Sequence, residues 1–199
     1  MSDKDEALKV EAIEFIRQWQ RQSQPIDDLV KAIVMGSLEC AEAIKPRLKY
    51  STEDEKLQRW FQVICEYLYF FTHITNRFSL TKLGQEGRLK LHNRLIPILI
   101  PTLIDTLNPD CREDIKNETE VEMNACLQES ELEYAKCKES TSNDLYDSNI
   151  LTSKMGMNIA NASGNPMNSS VIMFAIESSS KIFADMELHD LVEAVGKVL

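Results

Sequence analysis

Long apolar runs, paired cysteines and an excess of basic charge are all missing from this chain, and each absence narrows what it can be. No apolar run exceeds the six residues from Leu95 to Ile100, which Pro97 interrupts and Pro101 follows. That is far short of the roughly 20 residues that span a bilayer, so no membrane segment is expected. Acidic residues outnumber basic ones, 32 against 22, for a formal charge of -10. Such a surface repels a phosphate backbone, so no nucleic-acid partner is expected. The five cysteines (Cys40, Cys65, Cys111, Cys126 and Cys137) are odd in number, and none forms a C-x-x-C pair. Free, mainly buried thiols in a reducing, cytoplasmic setting are the simplest expectation. The chain begins with charge from Asp3 onward and no basic stretch leads into an apolar one, so no secretory signal is expected. The acceptor patterns at Asn117, Asn161 and Asn168 therefore carry no glycosylation expectation.

Catalytic signatures are missing too. There is no P-loop, dinucleotide fingerprint or nucleophile elbow. The Gly84–Gly87 tetrapeptide is too short and too acidic to cradle phosphate and reads as a turn. A carboxylate-bridged metal pair in a helical bundle needs Glu-x-x-His on two helices, and the chain has none. Neither a metal nor a cofactor is expected. Cys65 is a poor nucleophile candidate, since a reactive thiol prefers cationic surroundings and this one adjoins Glu66. Period-two runs of β-branched residues, the mark of strands, are nearly absent.

Helical periodicity is what remains. Leu8, Ala12, Phe15, Ile16 and Trp19 recur at helical spacing and predict a first helix. Pro25 suits the first turn of a second, with Ile26, Leu29, Val30, Ile33 and Val34 on its inner face, and Pro46 stops it. Ser51 with Asp54, or Thr52 with Glu55, forms a capping pattern for a third. In that helix Trp60, Phe61, Ile64, Tyr67, Phe70, Phe71 and Ile74 cover an arc of about 180°, wider than one packed face requires. The third helix is therefore expected at the centre, ending near Phe78. A two-glycine connection then leads into a fourth helix carrying Leu95, Leu99 and Leu103, bent at Pro97 and Pro101. Beyond Asn108 the composition turns to Glu, Lys, Asn and Cys, predicting one long exposed helix. A helix over about 167–185 and an amphipathic tail end the chain. The expected fold is all-α: one bundle-like domain of about seven helices without a significant β-sheet. Residues 1–108 would form its core, and residues 109–199 would pack on that core or form an oligomer interface.

Two residue sets are candidates for function. Arg59, Glu66, His73 and Arg77 fall in one narrow sector of the third helix. Glu66 and His73 lie two turns apart, about 10 Å, too far to share one ion without a third group. A turn after the third helix would bring His73 and Arg77 beside Arg88 and His92. Two histidines and two arginines could accept a phosphate or carboxylate. The competing reading is structural, a charge ladder with capping and ion-pairing roles. In the tail, Leu188, Leu191, Val192 and Val195 need burial, because so short a helix is marginal alone. The small residues Ala175, Ser178 and Ser179 are the expected cover, either in the same chain or, the favoured reading, across a two-fold from a second copy, with nearby methionines adapting to the contact. The leading expectation is a non-enzymatic cytoplasmic interaction protein, an adaptor, regulator or chaperone-like factor, binding a protein partner or itself as a homodimer. The alternative is a small-molecule or anion-binding protein, or an enzyme, using His73, Arg77, Arg88 and His92.

Overall fold

The computed structural model describes the backbone of residues 3–138 and 149–199, with side chains from residue 24 onward. Among the described residues the fold is all-α, with six helices: α1 (Asp3–Ile44), α2 (Glu53–Leu107), α3 (Glu113–Tyr134), α4 (Leu151–Ala162), α5 (Ser169–Asp185) and α6 (Leu188–Gly196). No strand occurs among them, only an isolated parallel bridge between Lys138 and Ile150.

The count of six replaces the expected seven for three reasons. First, Pro25 does not start a new helix, because α1 runs straight through it. Second, the expected third and fourth helices follow one another with a single non-helical residue between them, Gly84, at φ 69° and ψ -175°. Only glycine adopts that backbone readily. The break folds α2 back on itself. Asn76 and His92 would stand about 24 Å apart in a straight helix, yet they line one cavity. We call residues 53–83 the first arm of α2 and residues 85–107 the second. Third, α4 was not expected. Its sequence is rich in Met, Asn, Ala and Gly, which gives a weak apolar period. It docks because Gly156 lets α5 approach: a Cβ there would lie 2.9 Å from Ile172.

The first arm is central, as its wide apolar arc implies. Thr52 caps it, accepting from the Glu55 amide at 3.1 Å, while the Ser51 amide donates to the Glu55 carboxylate at 2.7 Å. Its aromatic residues continue into α5: Tyr67 stacks near Phe71 and Phe71 near Phe183, with Phe78 against the same ring. One contiguous apolar cluster draws on all six helices. No described helix is long and apolar enough to cross a membrane.

The tail meets its own chain. α6 packs on α1 and α2, where Leu188, Val192 and Val195 are buried and Leu191 is half-buried. The expectation of a second copy rested on a shortage of apolar partners for this end of the chain, and α1 and α2 supply them. Gly196 sits against Leu83 at the end of the first arm, and Lys82 pairs with Glu193 at 2.9 Å.

Candidate functional site

The polar line of the first arm divides into three separate settings. Arg59 pairs with Glu55 at 2.8 Å, one turn back. Glu66 reaches a cleft described below. His73 and Arg77 enter a seam between α2 and the C-terminal end of α3. His73 is 3% exposed. Arg77 Nε donates to His73 Nε2 at 2.8 Å, and its terminal nitrogen donates to the carbonyls of Tyr134 at 3.2 Å and Cys137 at 2.8 Å. A guanidinium can only donate, so His73 Nε2 must carry a lone pair and the ring proton sits on Nδ1. That proton is donated to Glu131 Oε2 at 3.2 Å. The pair therefore ties the end of α3 to the centre of the fold.

Arg88 and His92 lie elsewhere. One turn apart on the second arm, they line a cavity of about 410 Å³ closed by α3 through Asn124, Gln128 and Glu131. His73 and Arg77 are not among its lining residues, although Glu131 links the two settings: one of its oxygens accepts from His73, and the other is buried without a hydrogen-bond partner. Glu131 thus touches His73 on one side and shares a cavity lining with Arg88 and His92 on the other, while Arg77 bonds elsewhere. Neither Arg88 nor His92 has a polar partner among the described residues. Leu89 and Leu132 sit on the rim, 47% and 67% exposed.

A larger recess was not foreseen from the sequence. Between the first arm of α2, α3 and α4 lies a cleft of about 780 Å³, lined among others by Phe61, Glu66, Tyr69, Met123, Lys154 and Asn158. Glu66 was visible as part of the polar line, but its surroundings come from α4, which the weak period hid. Burial raises the Glu66 carboxyl above the ordinary carboxylate range; the Glu133 charge adds to this, while the Asn158 amide and Lys154 oppose it. Oε2 of Glu66 is enclosed without a hydrogen-bond partner. Lys154 pairs with Glu133 at 3.0 Å, and the Asn158 amide donates to the Tyr134 hydroxyl at 3.3 Å. Cys65 and Cys126 also line the cleft. Burial pushes the Cys65 thiol up to about 12, which leaves it inert as a nucleophile. Among the described residues no three His, Cys, Asp or Glu side chains are grouped to hold a metal ion.

Glu66 gives a stability prediction with a definite sign. A carboxyl whose folded value is raised opposes folding once it must ionise. Wild type should lose stability relative to Glu66→Gln as pH rises above the ordinary value of 4.5. In urea unfolding, Glu66→Gln should be the more stable protein at pH 8, with its advantage shrinking toward pH 4.5. An advantage of constant size across that range would show that ionisation of Glu66 is not what the fold resists.

No protein-family model matches this chain, and neither a curated protein nor a solved structure matches it at a significant level.

Proposed function

We propose that this chain is a non-enzymatic cytoplasmic interaction protein that holds an acidic, partly apolar segment of a protein partner in the groove between the second arm of α2 and α3. The observation that carries the proposal is the cavity of about 410 Å³ in which Arg88 and His92 stand without described partners, in a protein of net charge -10. A half-buried guanidinium without a bonded acceptor gains from an anionic group that enters the groove beside it. The rim favours a peptide over a lone ion. Leu89 and Leu132 offer apolar contact to flanking side chains, and the unpartnered Glu131 oxygen in the same lining calls for an N–H donor. A peptide supplies carboxylates, apolar side chains and backbone N–H groups together. All five cysteines are free, in keeping with a reducing compartment.

The test compares a short synthetic peptide of alternating glutamate and leucine with its lysine-for-glutamate counterpart and with inorganic phosphate. The glutamate peptide should raise the melting temperature of wild type by a few degrees at saturating concentration. The gain should vanish in Arg88→Ala and fall in His92→Ala, and the lysine peptide should give none. Equal stabilisation of wild type and Arg88→Ala would remove the groove as the binding face. Full stabilisation by phosphate alone would make it a small-anion pocket instead.

A further inference from the structure

We propose that the cleft between the first arm of α2, α3 and α4 is a binding site for an organic amine, anchored by the Glu66 carboxylate. This goes beyond the groove reading and rests on different residues. The cleft encloses about 780 Å³ and opens to solvent, which is room for a ligand of ordinary small-molecule size. Glu66 stands at its inner wall, on the stretch of α2 where Cys65 and Tyr67 are buried in the core. A carboxylate set that deep ordinarily accepts several hydrogen bonds, because leaving an ionised oxygen unpaired away from water is costly. Oε2 of Glu66 accepts none. The fold therefore carries an acidic group with one oxygen that its own surroundings leave unpaired.

The neighbours answer its charge only in part: the Asn158 amide and Lys154 both favour the ionised form, yet neither reaches Oε2. Lys154, the one cationic side chain among the described lining residues, is engaged by Glu133. Asn158 directs its amide to Tyr134. The remaining charged lining residues, Glu122 and Glu129, are negative as well, so the local field selects a cation. A bare metal ion is the poorer occupant, because no three described ligands converge. The walls describe an organic cation instead: Phe61, Tyr69 and Met123 form an apolar lining suited to a hydrocarbon body, and an aromatic ring face attracts an ammonium group. One charge-assisted N–H···O bond to Glu66 would fix the cationic end.

Benzylamine is the probe, with benzyl alcohol as its neutral counterpart of similar shape. In isothermal titration at pH 8, benzylamine should bind wild type measurably at millimolar concentration, and benzyl alcohol about ten-fold more weakly or not at all. Glu66→Gln, expected to fold well, should lower benzylamine affinity by about ten-fold and leave the alcohol unchanged. Glu129→Gln removes the same charge from the cleft without touching the anchor, and should cost less than about three-fold. In labelled wild type, amide resonances displaced by benzylamine should belong to α2, α3 and α4 around Glu66. Equal binding of amine and alcohol, equal losses in the two variants, displaced resonances on other helices, or no binding at all would each overturn the proposal.

Discussion

Phe71→Ala is expected to lower stability by about 3–5 kcal/mol, the range for removing a large aromatic side chain from a packed core. Phe71 is fully buried in the middle of the first arm of α2. It lies between the rings of Tyr67, with centroids 6.2 Å apart, and Phe183 of α5, 6.4 Å apart. Phe70 completes the contact at 5.6 Å. Truncation therefore empties a space walled by stiff rings, which relax poorly, and it separates α2 from α5 at the point where they meet. Phe183 is only half-buried, so Phe183→Ala should cost clearly less. Urea unfolding of both variants checks the ranking. A loss below about 1 kcal/mol for Phe71→Ala would mean that this aromatic row does not hold the two helices together.

That aromatic row was legible because one helix carried its own evidence. An apolar arc of about 180° cannot be covered by a single neighbour, so the first arm had to be central before any partner was known. The Thr52–Glu55 cap and the tail helix were legible for the same local reason. The parts that were not legible depend on a neighbour. α4 has little apolar periodicity of its own, and Gly156 makes sense only against Ile172. Pro25 follows a sound local rule for starting a helix, yet α1 continues through it. The tail's apolar face demanded a cover, but its sequence could not distinguish α1 and α2 of the same chain from a second copy.

The candidate site shows the same division. A turn near Gly84 was enough to place His73 and Arg77 near Arg88 and His92. Which of them would face α3 and which would face open space depended on how α3 docks, and α3 has only Met123, Leu127 and Tyr134 buried to announce its inner face. The consequence is that His73 and Arg77 are bonded within the fold, while Arg88 and His92 line a cavity. The cleft at Glu66 needed three helices to be assembled, one of which the sequence did not reveal.

Arg77→Met should be the second severe substitution, at about 3 kcal/mol, and it should act on α3 first. The methionine keeps most of the buried stem, so the loss is that of the guanidinium. Among the described residues three acceptors are affected: His73 Nε2 and the carbonyls of Tyr134 and Cys137. The Tyr134 carbonyl belongs to the last turn of α3 and would keep only the Cys137 amide, at 3.0 Å, as its donor. The His73 nitrogen is buried, so removing its donor leaves a lone pair away from water. Hydrogen bonds to a charged group contribute about 1.5–3 kcal/mol each and do not add fully when they share one residue, which sets the total near 3. Arg77→Lys should recover only part of it, because an ammonium group cannot reach three acceptors in the directions a planar guanidinium does. Hydrogen exchange distinguishes the mechanism. Amides of the C-terminal half of α3 should lose protection in Arg77→Met well beyond those of the first arm of α2, since few apolar contacts hold α3 once the polar tie is cut. Uniform loss of protection across both helices would show that Arg77 supports the whole core, and a stability change under about 0.5 kcal/mol would show that α3 does not depend on it.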